Sequence, residues 1–169
     1  DNAHVIAGQG TTAIEFLDQT DGLDAIITPV GGGGLLSGCA IAAKTKYNGT
    51  KVFAAEPTGA DDAFRSFSSG ELIPQTGPNT IADGLLTSLG ELTWPIIRDF
   101  VDAIYTVDDD SIAEAMRLIW ERAKLVVEPS GAVPLAAVLS KRFQSEVEAQ
   151  RIGIVISGGN VNLDKLPWQ

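Results

Sequence analysis

The residues whose spacing most clearly indicates chemistry are four consecutive glycines between a short apolar run and a segment with helical periodicity. They are Gly31, Gly32, Gly33 and Gly34, and Leu35 follows them. At a strand-to-helix turn, glycines let bare backbone N–H groups converge on one point, where the helix dipole also favours negative charge. A tight turn alone needs only one or two glycines. The run therefore predicts an anion site that holds the phosphate of a cofactor.

Two common nucleotide-binding patterns fit this chain poorly. No Gly-Lys-Ser/Thr follows the glycine run, as a P-loop requires, and Leu36 or Ser37 stands where a dinucleotide fingerprint has its last glycine. The segment GQGTTA at residues 8–13 does match G-x-G-x-x-A. However, no clear strand precedes it, and no acidic residue follows at the expected distance. Both classes of nucleotide site are therefore disfavoured.

Alternating strand-like and helix-like segments must position the glycine turn. Apolar runs rich in β-branched residues predict buried strands at residues 25–30, 51–55, 103–107 and 152–156. Helical spacing is found in residues 11–19, 35–46, 61–69, 95–101, 111–126 and 132–144. We expect an α/β fold with a mostly parallel sheet flanked by helices. Residues 70–90 lack a clear period and predict a long ordered loop.

Composition narrows the classes of partner and compartment. The 169 residues include 44% hydrophobic residues, enough for one substantial core. A net charge of -10 would repel a nucleic-acid backbone. The single cysteine, Cys39, lies in an apolar run and predicts a buried thiol in a reducing compartment. No apolar run is long enough to span a bilayer, and residues 1–12 lack the basic start and apolar middle of a signal peptide, so we expect a cytoplasmic protein with no membrane partner.

Seven short motifs occur in order along essentially the whole chain. They are AGQGT at 7–11, PVGGGG at 29–34, AAEPTGADD at 54–62, TIADG at 80–84, TWPIIRD at 93–99, VEPSGA at 127–132 and SGGNVNL at 157–163. In these motifs the chain resembles the fold-type II pyridoxal-phosphate enzymes, and within them the serine racemase and serine/threonine dehydratase group. The resemblance implies that pyridoxal 5′-phosphate (PLP) is the cofactor.

The resemblance assigns cofactor contacts to individual positions. It implies that the backbone of Gly31, Gly32, Gly33, Gly34 and Leu35 holds the phosphate, and that Gly84 lies against the cofactor ring. It also implies that the hydroxyl of Ser157 hydrogen-bonds the pyridine nitrogen. A hydroxyl leaves that nitrogen less protonated than a carboxylate would, and so moderates the withdrawal of electrons by the ring. From spacing alone, Ser157 fits equally well as a cap of the turn at Gly158.

Acidic residues follow the second predicted strand. Glu56 closes that strand, and Asp61 and Asp62 begin the next helix, where both aspartates could simply be helix caps. The resemblance instead implies a divalent cation held by Glu56, Asp62 and the backbone carbonyl of Ala60. Hard oxygen ligands suit Mg²⁺, Ca²⁺ or Mn²⁺. The run Asp108 to Asp110, by contrast, is interpreted as a helix start and not as a metal site.

Two further implications concern regulation and assembly. In animal racemases the positions that match Glu128 and Asn160 help form a nucleotide effector site, which implies a response to ATP. Glu128 fits equally well as part of a local hydrogen-bond network. The resemblance also implies a homodimer.

A lysine that forms the Schiff base and moves a proton is essential to such enzymes. The family carries it in an early S-x-K-x-R type segment, and none of the six lysines here has that context. The resemblance thus implies that residues 1–169 are the C-terminal part of the PLP-binding large domain. The lysine, the opposite-face base and the small domain would belong to a missing N-terminal portion or chain. We therefore expect no catalytic residue in this chain, and no activity from it alone.

The expected activity of the complete protein is the conversion of L-serine to D-serine. The resemblance implies an accompanying β-elimination of serine or threonine, which yields pyruvate or 2-oxobutanoate and ammonia, and a dependence on a divalent cation. A 3-hydroxyaspartate dehydratase and an aspartate racemase are the close alternatives. An alternative of another class is a non-catalytic lobe or regulatory subunit, which the missing lysine would fit.

Overall fold

A parallel four-stranded sheet forms the centre of the protein, as seen in a computed structural model that describes residues 1–47 and 49–168. The strands in these residues are β1 (Ala25–Pro29), β2 (Lys51–Pro57), β3 (Ala103–Val107) and β4 (Ile152–Ile154). Their order across the sheet is β3-β2-β1-β4, and every neighbouring pair is parallel. The α/β prediction with a parallel sheet is therefore confirmed.

Helices cover both faces of the sheet. In chain order they are α1 (Ala3–Gln19), α2 (Gly34–Lys46), α3 (Asp62–Ser69), α4 (Thr93–Phe100), α5 (Asp109–Leu118), α6 (Pro129–Leu139) and α7 (Lys141–Glu146). Successive β1 side chains point to opposite faces. Ile26 packs with α1, α2 and α4, while Ile27 packs with α5, α6 and α7. Each face thus has its own apolar core, and the strands are buried on both sides.

Glycines let α1 and α2 approach each other closely. A Cβ added to Gly10 would lie 3.0 Å from the carbonyl oxygen of Gly38, and one added to Gly38 would lie 2.5 Å from the nitrogen of Gly10. The GQGTTA segment is therefore inside α1, where Gly10 serves helix packing. The strand-turn-helix unit that a dinucleotide fingerprint requires is not formed there, which excludes that alternative. Helix α1 also begins earlier than the predicted residue 11.

The boundaries predicted for the two longest helices were wrong. The segment predicted at 111–126 is α5, which begins at Asp109 and is capped by the Asp108 carboxylate, an acceptor for the Ser111 N–H at 2.8 Å. After Leu118 it becomes a π-helical turn (Ile119–Ala123), and Lys124 ends it in the left-handed region at φ 58°. The segment predicted at 132–144 is broken at Ser140, which is extended and caps α7.

Smaller differences concern strand and loop limits. Strand β4 ends at Ile154, two residues before the predicted limit, and β2 continues to Pro57. Residues 70–90 form the predicted loop, with one 3₁₀ turn at Asp83–Leu85.

Cys39 is fully buried, as predicted, and burial raises the pKa of its thiol to about 12. Among residues 1–47 and 49–168, no helix combines the length and apolar character needed to cross a membrane.

Candidate functional site

A cavity of about 280 Å³ lies beyond the carboxyl ends of β1 and β4. Neighbouring parallel strands end at the same edge of a sheet, which is where open α/β sheets bind ligands. The cavity is lined by Pro29, Gly31, Gly32, Gly33, Gly34, Leu35, Leu36, Gly84, Leu85, Glu128, Ser130 and Ser157. The structure thus brings together all seven residues that the resemblance assigned to the cofactor, although they come from three separate parts of the chain.

The glycine turn forms one wall of this cavity. Gly33 precedes α2 with φ 86°, a conformation that an L-residue adopts only with strain. Space is also lacking, because a Cβ on Gly33 would lie 2.8 Å from Cδ1 of Ile97, and one on Gly31 would lie 3.1 Å from Cα of Leu85. Side chains are therefore excluded, and the first turn of α2 presents backbone N–H groups and the positive end of its dipole. This arrangement fits a phosphate group.

The opposite wall carries Gly84 and Ser157, both held by the turn that begins α6. The Gly84 N–H donates to Oγ of Ser130 at 3.0 Å, and a Cβ on Gly84 would lie 2.9 Å from the same atom. The Glu128 N–H donates to the carbonyl of Gly158 at 3.1 Å, next to Ser157. One short segment therefore sets the position of both predicted ring contacts. Ser157 is exposed and lines the cavity.

Glu128 lines the cavity of about 280 Å³ that contains the glycine turn, whereas Asn160 lines a second cavity of about 310 Å³. The two residues are joined, because the Asn160 N–H donates to Oε2 of Glu128 at 2.7 Å. This contact is the local hydrogen-bond network that was one interpretation of Glu128. A nucleotide effector site at Glu128 and Asn160 stays a prediction.

Ser130 is a site residue that sequence reasoning missed. It is 2% exposed, lines the cavity and supports Gly84 from 46 residues away along the chain. Its only signal in the sequence is its place in VEPSGA, two residues after Glu128. A serine at the start of a helix is commonly a cap, so the residue type alone does not indicate this role.

Glu56, in β2, and Asp62, the first residue of α3, form a buried acidic pair. Both are fully buried, and the Glu56 carboxylate accepts the N–H groups of Ala63 and Phe64 at 3.0 and 2.9 Å. Oδ2 of Asp62 accepts the Leu89 N–H at 2.9 Å, while Oδ1 is buried and has no hydrogen-bond partner among residues 1–47 and 49–168. Burial raises the pKa of Asp62, and it raises that of Glu56 to about 8.

A divalent cation would supply the partner that Oδ1 lacks, with the buried Ala60 close in sequence to both acids. The carboxylate oxygens of Glu56 and Asp62 are thus chemically suited to a hard cation. The set contains only two acidic side chains, however. Within the part of the chain that the structure describes, no group of three or more His, Cys, Asp or Glu side chains is arranged to hold a metal.

The lysines with defined partners lie away from the cavity. Lys44 and Lys51 bind Asp102 at 2.6 and 3.1 Å, and Lys46 binds Asp18 at 2.7 Å. Lys51 begins β2, so this cluster is near the amino ends of the strands, opposite the glycine turn. Among the described residues that line the cavity, none is a lysine.

The chain is similar to known proteins over nearly its whole length. A profile of the family described as "Pyridoxal-phosphate dependent enzyme" matches residues 1–158. Serine racemase from Dictyostelium discoideum is 55% identical over 168 residues, which are 98% of this chain and 52% of that relative. The beta-hydroxyaspartate dehydratase of Paracoccus denitrificans (strain Pd 1222) is 50% identical over 164 residues, which are 97% of this chain and 51% of that relative.

Solved structures show the same similarity. The crystal structure of the Dictyostelium discoideum serine racemase matches with a TM-score of 0.92, covering 96% of this chain and 52% of that one. A crystal structure of a pyridoxal 5′-phosphate-dependent aspartate racemase matches with a TM-score of 0.94 at 41% identity, covering 100% of this chain and 53% of that one. The chain therefore spans about half the length of the curated relatives it matches.

Proposed function

This chain belongs to the family of pyridoxal-phosphate dependent enzymes, and we propose that it forms the cofactor-binding part of a serine racemase that converts L-serine to D-serine. The observation that carries the proposal is the single cavity that unites the glycine turn with Gly84 and Ser157. The substrate is chosen on the 55% identity to a relative named serine racemase. A β-elimination that yields pyruvate or 2-oxobutanoate and ammonia is proposed to accompany racemisation.

The residues of this chain would bind and orient the cofactor. PLP, when bound, supplies a ring that withdraws electrons from the substrate α-carbon. The N–H groups of residues 31–35 would hold the phosphate, and the hydroxyl of Ser157 would donate to the ring nitrogen without protonating it. Gly84, which has no side chain, would let the backbone approach the ring closely. The chain thereby fixes the orientation of the ring relative to groups that act on the substrate.

The group that moves the substrate proton is proposed to lie outside this chain. Support comes from the position of Lys44, Lys46 and Lys51 in ion pairs and from the absence of lysine among the residues lining the cavity. An N-terminal portion or separate chain would supply the Schiff-base lysine, the opposite-face base and the substrate contacts. The complete protein is proposed to act as a homodimer, and this chain alone is proposed to be inactive.

A divalent cation, Mg²⁺ first, is proposed to bind Glu56, Asp62 and the carbonyl of Ala60. The unpartnered Oδ1 of Asp62 supports this proposal, because a buried carboxylate oxygen without a donor is costly. Because none of these three residues lines the cavity with Gly84 and Ser157, the cation would act on the structure of the site and would not touch the substrate.

An assay that scores two products separately tests the proposed function. The complete protein, loaded with PLP and Mg²⁺, is incubated with L-serine, and D-serine and pyruvate are measured independently. We expect both products, with smaller amounts from the Ser157→Ala variant. Failure to form D-serine, with normal cofactor loading, would contradict the racemase proposal.

The second candidate is a 3-hydroxyaspartate dehydratase, supported by the relative of 50% identity that bears the name beta-hydroxyaspartate dehydratase. The same protein is therefore also incubated with 3-hydroxyaspartate and with L-aspartate. Faster consumption of 3-hydroxyaspartate than of L-serine would favour the dehydratase. Formation of D-aspartate would instead favour an aspartate racemase, the activity for which the structural relative of 41% identity is named.

A further inference from the structure

Residues 89–93 connect the buried acidic pair to the glycine turn. At one end, the Leu89 N–H donates to Oδ2 of Asp62 at 2.9 Å. At the other end, the Thr93 hydroxyl accepts the Gly90 N–H at 2.9 Å. It donates to the carbonyl of Gly32 at 2.9 Å, which is nearer than its second acceptor, the carbonyl of Gly90 at 3.2 Å. Thr93 is 1% exposed, so both hydrogen bonds are shielded from water. A short stretch of chain thus touches both sites that the sequence indicated.

Close packing makes this connection stiff. A Cβ on Gly33 would lie 2.9 Å from both Cβ and Oγ1 of Thr93, and 2.8 Å from Cδ1 of Ile97 one turn later in α4. The Gly33 backbone therefore rests directly on the start of α4. Interiors packed in this way transmit small shifts, because no free space absorbs them. A displacement of residues 89–93 would move the glycine turn with it.

The hydrogen bond to Gly32 also sets the direction of an N–H group. The C=O and N–H of a trans peptide point in opposite directions. When Thr93 holds the Gly32 carbonyl, the N–H of Gly33 is directed away from Thr93. Gly32 and Gly33 line the cavity, whereas Thr93 is not among its lining residues. The hydroxyl of Thr93 thereby orients one donor of the phosphate site.

We propose that Thr93 is a positioning residue, which orients the glycine turn for the cofactor phosphate and links it through residues 89–93 to Asp62. The inference rests on the proposed function, because it assumes a phosphate at the glycine turn and a cation at Asp62. It adds a mechanism by which the cation controls cofactor affinity without contacting the cofactor. Thr93 acts through Gly32 and is not a catalytic residue.

Comparing PLP with pyridoxal, which lacks the phosphate, isolates this role. The complete protein is titrated with each compound, and the ratio of the two dissociation constants gives its preference for the phosphate. Thr93→Val keeps the shape of the side chain but removes the hydroxyl that orients the Gly33 N–H. The preference for PLP should therefore fall about tenfold, as expected for the loss of one hydrogen bond from that N–H to the phosphate. Affinity for pyridoxal should stay within about twofold of the original, since its ring contacts are unaltered.

Thr93→Ser is the matched control, because it retains the hydroxyl and should retain the preference for PLP. Thermal unfolding shows whether each variant folds, and Thr93→Ala is a second deletion of the hydroxyl if the valine variant does not. Equal weakening of PLP and pyridoxal, or an unchanged preference in a folded valine variant, overturns the proposal. If the original protein shows no preference for PLP, the phosphate site itself is refuted, and with it the proposed function.

The link to Asp62 is tested by repeating the titrations with Mg²⁺ and with a chelator. Removing Mg²⁺ should lower the phosphate preference of the original protein and of Thr93→Ser. It should have little further effect on Thr93→Val, because the connection is already broken. A cation effect of equal size in the valine variant, or none in the original protein, overturns the link.

Discussion

Replacing Gly33 by alanine should destabilise the protein through two separate effects. The left-handed conformation at φ 86° costs an L-residue about 1 to 2 kcal/mol. The added Cβ would also lie 2.8 Å from Ile97 and 2.9 Å from Thr93, an overpacking that typically costs about 1 to 3 kcal/mol. The sum predicts a loss of about 2 to 5 kcal/mol in the free energy of unfolding. The displaced turn should also bind PLP more weakly.

Gly70→Ala separates these two effects. Gly70 ends α3 at φ 77°, and a Cβ there would meet no heavy atom within 4 Å. This control should therefore lose only the conformational contribution, about 1 to 2 kcal/mol. Unfolding of the complete protein in urea, followed by tryptophan fluorescence, measures both variants, and Trp94 reports on the start of α4. If Gly33→Ala were no less stable than Gly70→Ala, the packing argument for the glycine turn would be refuted.

Three further predictions test the site and the sheet. Ser157→Ala should weaken PLP binding about 5- to 12-fold, because it removes one hydrogen bond worth about 1 to 1.5 kcal/mol, and Ser157→Thr should retain most of the affinity. An absorbance titration measures the affinity of both variants. If the alanine variant bound PLP as tightly as the original protein, the contact of Ser157 with the ring nitrogen would be contradicted. Mg²⁺ at about 100 times its dissociation constant should raise the free energy of unfolding of the original protein by about 2.7 kcal/mol, and should not stabilise Asp62→Ala. Thermal unfolding measures both proteins. An equal rise in both would mean that the cation binds elsewhere. The N–H groups of Arg151 and Gln150 lower the pKa of Asp24. Its contribution to stability is thus present above the unfolded pKa near 4 and lost as the pH falls through the lower folded pKa. The unfolding midpoint of Asp24→Asn should therefore fall less steeply with pH below about 4 than that of the original protein, and an unchanged acid dependence would count against this anchor of β4.

Much of the fold could be predicted because its strands are buried on both faces. Such strands are mostly apolar along their length, as the successive buried residues Ile26 and Ile27 of β1 illustrate. Helix ends were harder to predict, because they depend on contacts between distant parts of the chain. The left-handed Lys124 and the hydrogen bond from Trp120 to the Val127 carbonyl redirect the chain after α5, although the local pattern favours a continuing helix. Ser140 similarly ends a helix where the spacing of apolar residues predicts that the helix continues.

The candidate site likewise has parts with a local sequence signal and parts that depend on contacts between distant residues. The glycine turn is local, so its composition and its place between a strand and a helix predict it directly. Gly84 and Ser157 carry no such local signal, and they were identified only through the resemblance to a family. The supporting contacts of Ser130 with Gly84 and of Thr93 with Gly32 span 46 and 61 residues. Hydrogen bonds over such distances follow from the packed fold and not from residue spacing.

A crystal structure of the complete protein with PLP bound is the most direct test of the central claim. We expect the phosphate within about 3 Å of backbone nitrogens of residues 31–35, and the ring nitrogen at a similar distance from Oγ of Ser157. A phosphate bound elsewhere, or a ring nitrogen that faces Glu128 and not Ser157, would contradict the account.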